Sequence, residues 1–327
     1  MGGLARKATI IDKIKSEGRN PIILDSGNLF YKSNQIDPGI SLESAKINAD
    51  VIVESYNIMG CDAFSPGVND FAAGFENFMN LYNKSNFDYV SCNIYSTSNN
   101  SKLLFKPYKI IKKEGLRIGV IGLASVFEVD GIRVANPIAE LSKIIDEVDK
   151  NTDFIILLFN SIDQDLNKLY AQNFNIDMII KSNKSATKSR DGGGKIPTYI
   201  AGNRGKVLYD FSLSIQDTEL DLVDVAWCNN TINRVNSRLK KMKKGEATAD
   251  LLKIYKSDPT TLNRIKNYYS QLDNAEYLLT NLVNKIEFNK IELNKNVFDE
   301  PEVLKIVDYG KRKIRDLQGD LLTPYAP

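Results

Sequence analysis

Asn28, Asn69, Asn160, Asn183 and Ser185 each follow a short strand-like run, at Pro21–Leu24, within the short strand and loop of Gly60–Gly67, at Phe154–Phe159 and at Asp177–Ile180. In an open α/β sheet the carboxyl ends of strands are where ligands bind, so these are the positions to read for chemistry. Amides and hydroxyls can hydrogen-bond a small polar ligand, and they are also ordinary turn formers. They are poor ligands for a transition metal, and the chain contains no histidine. Asp25, Asp62, Asp70 and Asp177 remain, but their spacing pairs no carboxylates, and Asp62 and Asp177 suit turns or caps. Gly192-Gly193-Gly194-Lys195 lacks the Ser or Thr of a P-loop and precedes a Pro-containing strand. Cys61, Cys92 and Cys228 are isolated, without CxxC or zinc spacing, and Cys61 and Cys92 read as buried free thiols.

The elements that position these residues follow from periodicity. Amphipathic helices are expected at Gly3–Glu17, Ser41–Met59, Phe71–Tyr82, Pro137–Lys150 and Gln164–Asn173. Strands are expected at Pro21–Leu24, Tyr89–Ile94, Phe154–Phe159 and Asp177–Ile180. Hairpins are expected at Tyr108–Leu123 and Thr198–Ile215. This order predicts a layered α/β domain with partly parallel, partly antiparallel sheets. Composition shifts at Trp227, where Gly nearly vanishes, giving an α/β domain over 1–226 and a mainly helical region over 227–327. In that region Thr231–Lys244, Thr260–Ile286 and Pro301–Leu317 read as helices, although Ile286–Leu293 also fits an extended segment. Leu262, Ile265, Tyr269, Leu272, Leu279, Val283 and Ile286 form a heptad ladder, which suits either a packed helix or a coiled-coil contact. Aromatic residues anchor interfaces, so Leu262, Tyr268, Tyr269, Leu272 and Tyr277 are the candidate contact residues. Net charge is +2, from 43 basic and 41 acidic residues, and does not call for nucleic acid or an anionic membrane. No apolar stretch is long enough to span a bilayer, and the opening residues are not a signal peptide.

A succession of motifs carries a family resemblance. Gly2–Ala8, Ile23-Leu24-Asp25-Ser26-Gly27-Asn28-Leu29-Phe30, and Asp62-Ala63 with Pro66-Gly67-Val68-Asn69-Asp70-Phe71 come first. Val90–Ile94, Phe105–Lys109, Gly115–Leu123, Ile176–Ile180 and Ala201–Lys206 follow. In this order the chain resembles the secreted 5'-nucleotidase-type, calcineurin-like metallophosphoesterases over roughly residues 2–215. The resemblance implies a layered αββα sandwich with mixed sheets, here without its usual first strand and followed by a C-terminal helical extension. It implies export to the periplasm or an equivalent compartment. In that family two metal ions sit between the sheets on Asp, His and Asn ligands, activating water and stabilising phosphoryl charge.

Matched motif by motif, this chain departs at each ligand. The Asp-x-His strand lies upstream of the first residue. Gly-Asp is Gly27-Asn28, Gly-Asn-His-Glu is Gly67-Val68-Asn69-Asp70, the later His is Asn160, and Gly-His-x-His is Ser182-Asn183-Lys184-Ser185. The relic ligand positions are therefore Asn28, Val68, Asn69, Asn160, Asn183 and Ser185, with no catalytic residue, metal or cofactor expected. The first expectation is a pseudoenzyme acting through protein contacts. The opening Gly-Gly-Leu-Ala-Arg resembles proteins associated with exported multihaem c-type cytochromes, which suggests an assembly factor or accessory subunit, with a homo-oligomer as an option. The second is a metal-free binder of a nucleotide-like ligand in the relic cleft. The third is a residual phosphohydrolase.

Overall fold

A computed structural model describes residues 3–98, 102–182, 196–200, 205–243 and 249–322. Helix α1 (Gly3–Ser16) buries Ala5, Ala8, Ile11 and Ile14 along one face. Strand β1 (Leu24–Asp25) leads to α2 (Leu42–Met59). Ser41 caps α2 by accepting from the Ser44 N–H, and Gly60 ends it in the left-handed region at φ 80°. Then come β2 (Ala63–Phe64), a 3-10 turn at Val68–Phe71, α3 (Phe75–Lys84), β3 (Asp88–Tyr89) and β4 (Ile94–Ser96). Strands β5 (Tyr108–Lys113) and β6 (Leu116–Ala124) precede β7 (Glu128–Val129) and β8 (Ile132–Val134). Helices α4 (Pro137–Leu141) and α5 (Ile145–Asn151), strand β9 (Phe154–Asn160), α6 (Asp163–Tyr170), β10 (Met178–Ser182) and β11 (Thr198–Ile200) follow. The remainder is β12 (Val207–Ser214), β13 (Leu222–Asp224), α7 (Val225–Met242), α8 (Leu251–Ile254), α9 (Pro259–Thr280), β14 (Asn284–Glu292) and α10 (Pro301–Leu322).

The chain falls into two compact units, Met1–Tyr209 with Lys290–Pro327, and Asp210–Asn289. The composition shift at Trp227 lies inside the second unit, and α10 belongs to the first. In the first unit one sheet, ordered β1-β2-β3, is parallel throughout. A second is ordered β11-β10-β9-β6-β5, parallel except for β5, and a small third, β4-β8-β7, is antiparallel. Helices α1, α2, α3 and α10 pack with the first sheet around Phe64, Phe78 and Tyr89. Helices α4, α5 and α6 pack with the second around Leu123, Leu157 and Phe159. This is the expected αββα layering with mixed sheets. Strand β1 is the edge of its sheet, with β2 on one side and no strand on the other among the described residues. The backbone just past β3 packs directly on β6 at Gly122, where a Cβ would lie 1.9 Å from the Val90 carbonyl oxygen. Any side chain there would push the sheets apart.

The β5–β6 hairpin forms as its alternation predicts, with Ile111 opposite Ile118. The second expected hairpin does not. Strand β11 pairs in parallel with β10, and β12 joins a separate sheet ordered β12-β14-β13. The reason lies in burial, since Thr198, Tyr199 and Ile200 are all buried, as a strand covered on both faces requires. Thr260–Ile286 is also not one helix. It stops at Thr280, and Ile286 lies in β14, so the extension is not wholly helical. Alternation of Asn284, Ile286 and Phe288 with charged residues overrides the heptad there. In the second unit α7, α8 and α9 share a small core of Val235, Leu239, Leu251 and Ile265.

Candidate functional site

The relic cleft is built from the loops at the carboxyl ends of β1, β2 and β9, together with Ser182, the last residue of β10. After β1 the chain makes a tight turn, with the Gly27 N–H donating to Asp25 Oδ1 at 3.1 Å. Gly27 adopts φ 97°, and a Cβ there would stand 2.4 Å from the Ser65 carbonyl oxygen. Asn28 follows at φ 58°, a left-handed conformation that Asn tolerates better than most residues.

Asp70 fastens this turn to the loop after β2. Its carboxylate is fully buried and accepts from four backbone N–H groups: Asn28 and Gly67, each at 2.8 Å, Leu29 at 2.7 Å and Phe30 at 3.0 Å. Burial pushes its pKa up to about 6, against the opposing pull of those donors. Both ends of the Asn28 amide are also engaged. Oδ1 accepts from the Asn69 N–H at 3.1 Å, and Nδ2 donates to Ser182 Oγ at 3.3 Å. Ser182 Oγ in turn donates to the Gly27 carbonyl at 2.8 Å, which joins the second sheet to the first.

Asn69 Nδ2 donates to the Lys32 carbonyl at 3.1 Å, while its Oδ1 is buried without a partner. Asn160 is buried, and its amide lies on Gly67, where a Cβ would be 2.3 Å from Nδ2. That Nδ2 has no hydrogen-bond partner, and neither do Ser65 Oγ and Ser161 Oγ. Ser125 accepts from the Ile162 N–H at 3.1 Å and shapes the loop after β9. Val68 opens the 3-10 turn and brings an apolar side chain to its relic position. The structure thus brings Asn28, Asn69 and Asn160 together around Gly67, while Asn183 and Ser185, like Gly192–Lys195, lie outside the described residues.

The remaining carboxylates near the cleft are held elsewhere. Asp25 Oδ2 accepts from the Tyr56 hydroxyl at 2.7 Å, and Lys7 Nζ donates to that hydroxyl at 2.7 Å. Burial, reinforced by Asp25, raises the Tyr56 pKa well above the usual phenol range. Asp62 and Asp177 hold the Ile23 and Ile155 N–H groups, each at 2.7 Å, as turn or cap residues do. Lys181 is buried on β10 and pairs with Asp163, the first residue of α6, at 2.5 Å. Sequence reasoning did not single out this pair or the role of Ser182; an isolated Lys inside an apolar strand is the signal that could have found the first. Cys61, Cys92 and Cys228 are buried free thiols, and burial pushes Cys92 up to about 12.

The αββα fold implies a two-metal centre, and the donors present do not suit one. Asp70 is saturated by backbone donors, Asn28 is used at both ends, and Val68 offers nothing. Among the described residues no three His, Cys, Asp or Glu side chains converge. Hard or borderline divalent ions require carboxylate or imidazole ligands that neutralise their charge, and this cleft presents neutral amides and hydroxyls.

Of the candidate contact residues, Tyr268, Tyr269 and Leu272 pack inside the second unit against Val235, Leu239 and Ile265. The Arg238 guanidinium lies 5.6 Å from the Tyr268 ring and donates to its hydroxyl at 3.2 Å. Leu262 is half-buried, and Tyr277 is 66% exposed.

No family model matches the chain. It is 29% identical over 160 residues to a 5'-nucleotidase of Vibrio cholerae, covering 45% of this chain and 27% of that protein. It is 30% identical over 136 residues to the protein UshA of Escherichia coli, covering 41% and 23%. The chain therefore spans about a quarter of the length of these relatives. The calcineurin-like phosphoesterase YfkN of Bacillus subtilis superposes with a TM-score of 0.61 at 16% identity, covering 96% of this chain and 90% of that one. No described helix is long and apolar enough to cross a membrane. The chain has the calcineurin-like phosphoesterase fold, and over two-fifths of its length its sequence resembles the 5'-nucleotidases.

Proposed function

We infer that this chain is a pseudoenzyme of the phosphoesterase fold, one that works through protein contacts. The observation that carries the reading is the state of Asp70 and Asn28. Asn28 stands where the resemblance expects a metal ligand and Asp70 lies beside another such position, and the polar atoms of both are occupied in tying loops and sheets together. Among the described residues no cluster of His, Cys, Asp or Glu is left to neutralise two cations and a phosphoryl group. Export, and a c-type cytochrome complex as the partner class, follow from the resemblance of the opening motifs. Elemental analysis of chelator-free protein, with hydrolysis of p-nitrophenyl phosphate and 5'-AMP, tests the reading. Sub-stoichiometric metal and no turnover above buffer are expected. Two metals per chain with turnover would establish a rebuilt phosphohydrolase instead.

A second reading is supported by the unpaired Ser65 Oγ, Asn69 Oδ1, Asn160 Nδ2 and Ser161 Oγ. A buried polar atom without a partner costs roughly 1–3 kcal/mol, and a small neutral polar ligand would satisfy several at once. Calorimetric titration with adenosine separates this reading from the first. Saturable binding that Asn160→Leu abolishes would favour a ligand-binding role.

A further inference from the structure

A groove of about 670 Å³ lies in the first unit, lined by Asn48 of α2 and by Asp308, Lys311, Arg312, Ile314 and Arg315 of α10. Its origin can be traced along α10. Val303 and Val307 are fully buried and fix the first turns of the helix. At Gly310 the helix comes so close to α2 that a Cβ would lie 2.3 Å from Val51 Cγ2. Beyond that contact the apolar face of α10 narrows to the half-buried Ile314 and Leu317. Its next residues are cations, and the groove opens beside them.

The groove carries three cations against one carboxylate. Lys311 already pairs with Asp308 at 3.0 Å. Arg312 and Arg315 are exposed, and among the described residues neither has an ion-pair partner. Asn48 adds an amide whose Oδ1 has no donor. Ile314 supplies a half-buried apolar patch between the two arginines.

We propose that this groove receives an extended acidic segment of a protein partner. Its carboxylates sit on Arg312 and Arg315, a backbone N–H reaches Asn48 Oδ1, and an apolar side chain rests on Ile314. Guanidinium forks match carboxylates in geometry as well as charge. A phosphodiester chain would also meet the arginines, but it offers no backbone N–H for Asn48 and no apolar side chain for Ile314. A polypeptide is therefore the occupant that fits the whole lining. The site deepens the reading of this chain as a contact protein and rests on that reading.

The probe is a short fluorescein-labelled peptide alternating Asp-Glu with Leu, followed by anisotropy with the full chain. Saturable binding that weakens as ionic strength rises is expected. Arg312→Glu with Arg315→Glu should weaken it about tenfold, and Asn48→Leu about fivefold. The melting temperature of the charge-reversed variant should stay at that of the parent, since both arginines are exposed, and Asn48→Leu, which removes a buried unpaired oxygen, should not lower it. The proposal is overturned if the peptide fails to saturate below about 1 mM. It is also overturned if the double charge reversal leaves the titration unchanged. Equal affinity for a single-stranded oligonucleotide, with equal loss on charge reversal, would show a general polyanion surface instead. Metal-dependent turnover alongside specific peptide binding would sink the pseudoenzyme reading and leave the groove standing, so the two failures are distinguishable.

Discussion

In the cleft, Asp70 accepts four backbone N–H groups and Asn28 uses both ends of its amide. In the groove beside α10, Arg312 and Arg315 extend into solvent. Both regions are polar, yet they answer to different physics. A buried polar group must find a partner or destabilise the fold, so it becomes part of the framework. An exposed cation already has water, contributes little to stability and remains available for recognition. The place where the fold would put chemistry is thus the more densely hydrogen-bonded of the two, and the exposed groove has the unused charge.

Asp70→Ala tests the difference at its largest. It leaves four backbone donors without their acceptor, at roughly 1–3 kcal/mol each when buried. Unfolding free energy measured in urea should fall by about 4 kcal/mol or more. Arg312→Ala, by contrast, should change it by less than about 0.5 kcal/mol. Comparable effects of the two variants would erase the distinction between framework and recognition surface.

The same carboxylate sets a pH dependence. Its pKa in the fold is about 6, above the 3.8 of an ordinary Asp. Folding therefore favours its protonated form. The stability this contributes is complete below about pH 3.8 and is lost as pH rises through 6. Between pH 4 and 7 the loss is about 3 kcal/mol at most, taking roughly 1.4 kcal/mol per pH unit of difference. Asp153, held low by its bond to Arg117, acts in the opposite sense but only below the usual carboxylate range. Urea titrations from pH 4.5 to 7 should show a falling stability that flattens in Asp70→Asn. A slope identical in the two proteins would assign the effect to other groups.

How much of this was legible beforehand depends on where each signal lies. The apolar runs of β6, β9 and β10 are continuous and punctuated, and such runs specify buried strands. The Asp25–Asn28 turn was equally legible, because Gly and Asn are the residues a left-handed turn requires. The register of β11 was not, since three buried residues fit either an antiparallel or a parallel neighbour. Nor was the end of α9, where the heptad of Leu279, Val283 and Ile286 coincides with the alternation of β14. In the cleft, residue types showed which ligands were missing, but not what Asn28, Asp70 and Ser182 do instead. Those bonds join positions up to 155 residues apart, and no local pattern records them. The groove was invisible for the same reason. Lys311–Arg315 reads as an ordinary solvated helix face until Gly310 is seen against Val51.

Gly67→Ala probes how tightly the cleft is filled. The new methyl would lie 2.3 Å from Asn160 Nδ2, so the amide must move. Overpacking of this kind costs roughly 1–3 kcal/mol. Asn160→Ala removes the obstacle, so the double variant should recover at least about 1 kcal/mol relative to additivity. Strict additivity would mean that Asn160 does not rest on Gly67.

The smallest expected effect is that of a chelator. A ligand held only by the folded state stabilises it by RT ln(1 + [L]/Kd), about 4 kcal/mol at a thousandfold excess over Kd. For two tightly held ions the gain would be larger, and their removal would lower the melting temperature by several degrees. Among the described residues this cleft has no cluster of acidic or imidazole side chains to hold such ions, and the loops after β1 and β2 are joined by hydrogen bonds that need none. Melting temperatures with excess EDTA, and after addition of Mn or Zn, should therefore agree within about 1 °C of the untreated protein. The comparison has an internal control in Asp70→Asn. If ions contributed to the framework, losing that carboxylate would remove the response to chelator. If they do not, parent and variant differ in stability but respond alike, with no shift. A drop of several degrees in the parent, absent in the variant, would place a metal on Asp70 and end the account of the cleft as a purely hydrogen-bonded framework.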